Sequence, residues 1–431
     1  MPADEGDFPG GPDRADLRLA IVGLGERSVL AAYAHRPGRG ARVVAVVDPE
    51  PGRRAEAPGR FGADVEAVAD YRDLFAGGGA PGVDAAFVLT PDGTHEDIAV
   101  GLLEAGVPVF VEKPLAITVA GCDRILATAR RTGTRLYVGH NMRHMPVVLA
   151  MRQLIASGAI GAVKAIWCRH FVGHGGDFYF KDWHADRRNT TGLLLQKGAH
   201  DLDVIAWLAG GYATRVNAMG GLLVYGGSSD PQERTGQLMR EWFDPEHNWP
   251  PTDLRGLNPV VDVEDLSMVH LQLDNGILAS YQQCHFTPDY WRNYTVIGTG
   301  GRLENFGDMV TGAVVKVWNR RSGYRADADL VVDVPLFEGS HGGADQPLVD
   351  EFLRFVRTGG ATLTTPVAAR YAVAAGCAAT ESLRDGGRPV DVPPLDPVLE
   401  AHFTAGPAAV PTIPTQATPP TPSPSPTGDA R

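Results

Sequence analysis

The hydrophobic positions in the first third of the chain alternate between two kinds of pattern. Segments such as LRLAIVG and ARVVAVVD are short, almost wholly apolar and rich in β-branched residues, as strands are when helices cover both faces of their sheet. Between such segments, as in EDIAVGLLEAG, apolar residues recur at helical spacing. Parallel strands joined by helices in right-handed crossovers make a doubly wound α/β sheet, which we predict over residues 17–141.

The pattern changes after Asn141. A helical stretch and the strand-like VKAIWCRHF are followed by a second helix near KGAHDLDVIAWLAG and by the long run EDLSMVHLQLDNGILASYQQCHF. Within that run Asn275-Gly276 is a tight-turn signal. These features predict an α+β domain over residues 142–400 with a large, mostly antiparallel open sheet. Residues 224–262 are polar and contain Trp and Pro, which indicates a long loop.

Composition sets limits on the ends of the chain and on its partners. Residues 1–16 lack periodicity and residues 401–431 are rich in Pro, Thr and Ser, so we expect both segments to be disordered. A net charge of −12 argues against a nucleic-acid binder, which needs a basic face. We find neither a signal peptide nor a membrane-spanning run, and the four separated cysteines are typical of reduced thiols. We therefore expect a cytoplasmic protein with no membrane partner.

A glycine motif stands between the first predicted strand and the first helix. A dinucleotide's pyrophosphate needs close backbone approach and free N–H groups at such a place. Asp48 ends the second strand, where its carboxylate can accept hydrogen bonds from both ribose hydroxyls and would repel a 2′-phosphate. Arg53 follows closely and relieves part of that repulsion, so NAD is favoured and NADP stays open. The motif supplies the candidate cofactor residues Gly23, Leu24, Gly25, Glu26, Arg27 and Ser28.

Two further strands end in turns that carry polar and charged side chains, TPDGTH and EKP. Both lie at carboxyl ends of strands in the half of the sheet where the strand order reverses, which is where ligands bind. Thr90 and Pro91 of the first turn are candidate cofactor contacts. Glu112 of the second can bond a ribose hydroxyl, while Lys113 can place positive charge near the nicotinamide ribose and a reacting oxygen. Pro114 fixes the turn that presents them.

With these motifs in place, the sequence resembles the glucose-fructose oxidoreductase, inositol dehydrogenase and rhizopine-catabolism (Gfo/Idh/MocA) family of NAD(P)-dependent oxidoreductases. The resemblance covers about residues 17–395. It implies an N-terminal Rossmann domain and a C-terminal sheet that forms a homo-oligomer interface, as a dimer or tetramer. It also implies that Lys113 is the catalytic lysine, that Asp48 binds ribose, that His95 and Asn141 line the cofactor cleft and that His200 is the catalytic histidine. The motifs that carry it are VGLGERS, TPDGTH, VEKPL, GHNMRHMP, GLLLQKGAHDLDVIAWLAG, VEDLSMVHLQLDNG and GTGGRLEN.

One position departs from the family pattern. Many members carry Asp four residues before the catalytic histidine, and this chain has Gln196, which cannot accept a proton. Lys197 stands beside it, three residues before His200, and we expect its side chain to look into the same cleft. Burial lowers the pKa of a lysine, so Lys197 is a further candidate for proton transfer or charge stabilisation. Asp203 either orients the His200 imidazole or is a helix-surface acid, and the sequence favours neither.

Other polar residues are candidates for the substrate pocket. Aromatic faces stack on sugar C–H surfaces and polar tips bond hydroxyls, so Arg143, Trp183, His184 and Asp186 are predicted to contact substrate, together with Lys197 and His200. HGGAD, with His341 and Asp345, is either a substrate loop or a helix start. Strand spacing could bring Cys168, His170 and His174 to one face, but the family chemistry needs no metal, and we expect none.

These features predict hydride transfer between nicotinamide and a hydroxyl or ketone carbon of a sugar, sugar derivative or cyclitol. Two alternatives stay open. In the first, bound NAD oxidises the sugar transiently, allowing epimerisation or glycoside cleavage without net redox change. In the second, the same fold binds nucleotide and sugar as a non-catalytic regulator, against which the presence of Lys113 and His200 argues. The substrate itself and the reaction direction are not specified by the sequence.

Overall fold

The computed structural model describes residues 15–75, 82–227, 230–244, 246–404, 410–413 and 417–418. Its N-terminal part is a parallel six-stranded sheet in the order β3-β2-β1-β4-β5-β6. The strands are β1 (Leu17–Val22), β2 (Ala41–Val47), β3 (Glu66–Val68), β4 (Ala85–Val88), β5 (Val109–Val111) and β6 (Leu136–Val138). The helices that accompany them are α1 (Leu30–Ala34), α2 (Pro51–Phe61), α3 (His95–Glu104) and α4 (Val119–Thr132).

This sheet confirms the doubly wound prediction and locates its crevice. The chain moves outward from β1 to β3 on one side and from β4 to β6 on the other, so the strand order reverses between β1 and β4. The carboxyl ends of β1, β4 and β5 therefore open onto one crevice. Strand β3 is absent from the sequence prediction because its three residues, EAV, are too few to show a strand pattern and two of them are exposed.

The second sheet contains ten strands in the order β15-β8-β9-β10-β7-β11-β12-β13-β14-β16. Its pairings are antiparallel except for β7 with β10, which confirms the mostly antiparallel prediction. The strands are β7 (Val163–Phe171), β8 (Ala213–Gly221), β9 (Leu266–Leu273), β10 (Leu278–Cys284), β11 (Trp291–Gly298), β12 (Gly301–Phe306), β13 (Val314–Trp318), β14 (Leu330–Asp333), β15 (Val390–Asp391) and β16 (Ala417–Thr418).

Helices cover one face of this second sheet. Along β7 the side chains of Ile166, Cys168 and His170 are buried on that face, while Trp167 between them is 51% exposed on the other. The remaining helices are α5 (Pro146–Ala156), α6 (Gly175–Tyr179), α7 (Arg187–Thr190), α8 (Leu193–Gln196), α9 (Gly198–Ala209), α10 (Asp345–Thr358), α11 (Pro366–Arg384) and α12 (Pro397–Phe403).

Helix α10 returns to the N-terminal sheet. The ring of Phe352 packs edge-on against Phe87 and Phe110, with ring centroids 4.9 and 5.5 Å apart, and lies 5.6 Å from Tyr137. Its apolar stripe belongs to the same core cluster as β1 and β2. Helix α10, which lies within the predicted segment 142–400, thus covers a face of the first sheet and brings its own N-terminus to the crevice.

The two ends of the chain lie partly outside the described residues. Residues 1–14 and most of 401–431, predicted to be disordered, belong there. Among the described residues beyond 400, α12 continues to Phe403, Ile413 is buried in the core, and β16 pairs with β14. The Pro-rich composition of this segment did not predict that the side chain of Ile413 would pack in the core. Within the described part, every helix is too short or too polar to cross a membrane.

Candidate active site

The glycine loop after β1 leaves room for a ligand. Gly23 adopts φ +97°, and a Cβ there would lie 2.7 Å from the carbonyl oxygen of Leu89, so no other residue fits. A Cβ on Gly25 would meet nothing within 4 Å, which leaves open space above the loop. At the end of β2, Asp48 Oδ2 accepts the Leu24 N–H at 2.8 Å and thereby fixes the loop beside a carboxylate. These features fit a dinucleotide's pyrophosphate and ribose.

Arg27 of this loop joins both halves of the protein. Its Nε donates to Glu112 Oε1 at 2.6 Å and its Nη1 donates to Asp345 Oδ2 at 2.9 Å. Asn141 Nδ2 and Ser340 Oγ also donate to Asp345, at 3.0 and 2.6 Å. Arg27, a predicted cofactor residue, and Asn141, predicted to line the cleft, therefore both donate to a carboxylate at the start of α10, a segment that the sequence left as a substrate loop or a helix start. Glu112, predicted to bond a ribose hydroxyl, accepts from Arg27.

Other predicted cofactor residues hold the cleft walls. His95 is fully buried, and its ring nitrogens lie 2.8 Å from the carbonyl oxygens of Pro114 and Thr90, so it ties together the turns after β4 and β5. Arg53 Nη1 lies 3.6 Å from Asp48 Oδ2, while Nη2 donates to the Gly236 carbonyl. Of the glycine-loop residues, Glu26 Oε1 accepts from the Arg240 N–H at 3.4 Å and Ser28 Oγ accepts from Arg60 Nη2 at 3.3 Å. Pro91, in the turn after β4, is exposed.

Lys113 and His200 converge across the crevice. Lys113 Nζ donates to the backbone carbonyl of Gln196 at 2.9 Å, which links the end of β5 to the segment before α9. Burial lowers the pKa of Lys113, although Asp92 and Glu112 oppose the shift. Burial also lowers the pKa of His200 well below its usual range, and the charge of Lys113 contributes next. The imidazole is therefore neutral at pH 7 and able to accept a proton.

Lys197 lies at a break in the helical chain. The sequence predicts it on one helix with His200, but α8 ends at Gln196 and α9 begins at Gly198, so Lys197 occupies the junction. Its ammonium lies 5.7 Å from the centroid of the Tyr179 ring. Burial lowers the pKa of Lys197 to about 7, and the charges of Arg292 and Lys113 act in the same direction.

Several buried polar atoms around the crevice lack a partner within the described part of the chain. Such atoms cost about 1–3 kcal/mol each unless a ligand or water serves them. Their positions, on both walls of the crevice, suit a site that receives a polar ligand such as NAD with its substrate. They are Asp92 Oδ2, both ring nitrogens of His140, Asn141 Oδ1, Gln196 Oε1 and His200 Nδ1.

Asp92 is a site residue that the sequence reasoning missed. It follows Pro91 in the turn after β4 and is only 4% exposed. Burial raises the pKa of its carboxyl, while the nearby charges of Lys113, His95 and His184 act in the opposite direction. Its place inside the TPDGTH motif was the available signal, but an Asp in a turn before a helix reads as an ordinary cap.

Two of the predicted substrate residues face the same region. His184 Nδ1 lies 2.5 Å from Asp182 Oδ1, and its ring stacks on Trp183 with centroids 3.7 Å apart. Tyr179 meets His184 edge-on at 5.3 Å, and burial raises the pKa of the Tyr179 hydroxyl. The Asp182 carboxylate and the two rings form a rigid polar and aromatic wall.

Three candidate residues of this region have partners within the protein. Arg143 Nε and Nη2 donate to Asp203 at 2.7 Å each and Nη1 donates to the Leu363 carbonyl at 2.6 Å. Asp203, whose role the sequence left open, is therefore the partner of a buried arginine. Asp186 caps α7 by accepting the Arg188 N–H and side chain. These partners argue against the substrate contacts of Arg143 and Asp186, which stay predictions.

A buried cluster behind the crevice escaped the sequence reasoning as well. Asp201 is fully buried and accepts from Tyr281 OH at 3.0 Å, from Tyr294 OH and from His170 Nδ1 at 3.1 Å, while Arg292 Nε lies 3.0 Å from it. Cys168 and His170 thus face Asp201, whereas the His174 ring packs on Phe243, so the three do not converge on a metal. These partners of Asp201 come from three separate strands, β7, β10 and β11, and so leave no short-range pattern in the sequence.

Comparison with known proteins agrees with this geometry. Residues 17–140 match the Gfo/Idh/MocA oxidoreductase family in its NAD-binding Rossmann fold, and residues 152–392 match the C-terminal alpha/beta domain of the same family. An inositol 2-dehydrogenase of Ralstonia nicotianae is 38% identical over 198 residues, which are 45% of this chain and 55% of that protein. An inositol 2-dehydrogenase 1 of Saccharopolyspora erythraea is 34% identical over 202 residues, 46% of this chain and 56% of that one.

The chain spans about half the length of these curated relatives. Among solved structures, a levoglucosan dehydrogenase in complex with NADH and levoglucosan matches with a TM-score of 0.70 and 19% identity, covering 88% of this chain and 100% of that one. This likeness concerns the fold, including the placing of the large sheet beside the dinucleotide-binding domain.

Proposed function

This chain belongs to the Gfo/Idh/MocA oxidoreductase family, and on that premise we propose that it is an NAD-dependent dehydrogenase of a sugar, sugar derivative or cyclitol. The observation that supports this most directly is the convergence of Lys113 and His200 on one crevice beside the glycine loop. The names of the inositol and levoglucosan dehydrogenases place polyols and sugars among the substrates of similar proteins. We find no observation that favours the redox-neutral or regulatory alternatives.

The residues present divide the chemistry between them. When bound, NAD supplies a hydride acceptor, and Asp48 with the glycine loop would hold its adenosine and pyrophosphate. Neutral His200 would accept the hydroxyl proton of the substrate as general base. Lys113 stabilises the negative charge that develops on the oxygen, in a crevice where burial strengthens the interaction. Arg27, held by Glu112 and Asp345, keeps the two walls in register.

A cofactor and substrate screen tests the activity. Incubated with NAD and a set of aldoses, sugar acids, alditols and inositols, the purified protein is expected to release free NADH, measured by absorbance. We expect kcat/KM for NAD to exceed that for NADP at least about tenfold. The Asp48 carboxylate repels a 2′-phosphate, and Arg53 already pairs with Asp48. Turnover of a sugar without accumulating NADH would instead indicate the redox-neutral cycle.

We also propose that the uncovered face of the ten-stranded sheet binds a second copy of this chain. That face carries Trp167, Met268 and Leu278, which are 51%, 47% and 59% exposed. It surrounds a concavity of about 550 Å³ whose lining includes Arg169, Arg302 and Glu304, so both charge signs are present for a symmetric contact. Large apolar side chains exposed on one face of a sheet are typical of an interface. Separately, we propose a cytoplasmic location, because the four cysteines are free thiols.

Light scattering on the full chain checks this assembly. We expect a dimer or tetramer, and a Trp167→Glu, Met268→Glu double variant should elute with a smaller mass because it buries charge in the contact. The matched control places the same charge elsewhere, as Tyr324→Glu, whose side chain is 98% exposed. A monomeric wild-type protein would contradict the interface without affecting the proposed chemistry.

A further inference from the structure

The inner end of the crevice is unusually rich in positive charge and in hydrogen-bond donors. Lys197 is half-buried there, and the charges of Arg292 and Lys113 both act on it. Within the described part of the chain, no carboxylate lies within ion-pair distance of the Lys197 ammonium. The acids nearby already have partners, since Asp201 binds Arg292 and two tyrosines.

Two fully buried side chains extend this donor surface. Gln283, on β10, is 1% exposed, and its Nε2 has no hydrogen-bond partner among the described residues. Its Oε1 lies 2.9 Å from the Tyr281 hydroxyl oxygen, and it competes with Asp201 for the single hydrogen of that hydroxyl. The same oxygen lies 3.6 Å from where a Cβ on Gly198 would stand, so Gln283 borders the residue next to Lys197. An amide nitrogen that donates to nothing costs free energy unless a ligand accepts from it.

His285 completes the group. It is 0% exposed and both of its ring nitrogens lack a partner within the described residues. The Tyr179 ring lies 5.1 Å from the His285 ring and 5.7 Å from the Lys197 ammonium, so both side chains flank this one ring. Burial lowers the pKa of His285 well below its usual range, so the ring is neutral and carries one N–H to donate.

We propose that this group, formed by Lys197, Gln283 and His285, binds a carboxylate of the substrate, which is therefore a sugar acid or a carboxylated cyclitol. A neutral hydroxyl would accept one bond and leave the ammonium uncompensated. A carboxylate brings the missing negative charge and two oxygens, one for Lys197 and one for the amide and imidazole donors. His200 and Lys113 then face the hydroxyl-bearing part of the same molecule. This inference rests on the dehydrogenase activity proposed above.

Matched substrate pairs test the proposal on the full chain. Each pair differs in one carboxylate: D-gluconate and D-glucitol, D-glucuronate and D-glucose, D-galacturonate and D-galactose. With NAD present, we expect kcat/KM for the acid to exceed that for its neutral partner by about 10²-fold in at least one pair. Equal or better turnover of the neutral members overturns the carboxylate site alone. Absence of turnover in all pairs and in the wider screen overturns the proposed function and this inference with it.

A near-isosteric variant gives an independent readout. Gln283→Glu keeps the acceptor for Tyr281 and adds a negative charge, so kcat/KM for the preferred acid is expected to fall about 10²-fold further than kcat/KM for its neutral partner. The control is Gln232→Glu, the same exchange at a position whose side chain is exposed. NADH binding, followed by fluorescence, verifies that both variants are folded. An equal loss for acid and neutral substrates contradicts the proposal.

Discussion

Replacing Lys113 by methionine is expected to lower kcat for polyol oxidation by about 10³-fold. The ammonium is the group best placed to stabilise the developing alkoxide, and removing one preorganised donor of this kind costs about 10²–10³-fold. Methionine keeps much of the apolar stem but loses both the charge and the bond to the Gln196 carbonyl. Initial rates with saturating NAD and substrate provide the measurement.

The binding of NADH separates this effect from damage to the cofactor site. Asp48 and the glycine loop are untouched in Lys113→Met, so the affinity for NADH, measured by fluorescence titration, is expected to change less than about threefold. Lys113→Arg is the informative second variant, since it keeps the charge but replaces a point donor by a larger planar group. A methionine variant that keeps more than a tenth of the wild-type kcat would contradict the role given to Lys113.

The parts of this molecule that follow from sequence are those set by short-range pattern. Apolar strand runs and helical spacing gave both sheets, and the glycine motif lies after β1 as expected. Lys113 and His200 reach a common crevice because each sits at an element end that the fold brings together: the carboxyl end of β5 and the first turn of α9. Their chemical roles stay predictions.

Long-range pairing is where sequence reasoning failed. Arg143 and Asp203 are 60 positions apart, and the sequence does not indicate that the two form an ion pair with each other. The partner of Arg27 is Asp345, 318 positions away, because α10 docks on the first sheet. An amphipathic pattern shows that α10 is a helix but does not identify the surface that it covers.

The second failure concerns buried polar residues on strands. Gln283 and His285 alternate with exposed neighbours on or just after β10 and so occupy positions where apolar residues are expected. In the sequence, that departure was a usable signal, since a buried polar residue needs a partner or a ligand. The same reasoning applies to Asp92 in its turn.

Replacing His200 by asparagine is the second change expected to have a large effect, a fall in kcat of about 10²–10⁴-fold, which is the usual contribution of a positioned general base. Asparagine remains polar but cannot accept the hydroxyl proton. Because the pKa of His200 lies well below 6.5, wild-type oxidation should stay active as the pH falls through 6.5 and decline only below it. The pH profile of kcat/KM measures this acid limb.

Lys197→Met then shows which group the acid limb reports. Burial is the largest cause of the lowered pKa of His200, and the positive charges of Lys113, Lys197, Arg292 and His140 add to it in that order. Removing one of these charges raises the pKa, so the acid limb of the methionine variant should move to higher pH while its shape is kept. If Lys197 were itself the base, the wild-type limb would lie near its own pKa of about 7 and would be lost in the variant. If the acid limb of the Lys197→Met variant moves to higher pH, His200 is the group that accepts the proton. The role of Lys197 is then to lower the pKa of His200 through its charge.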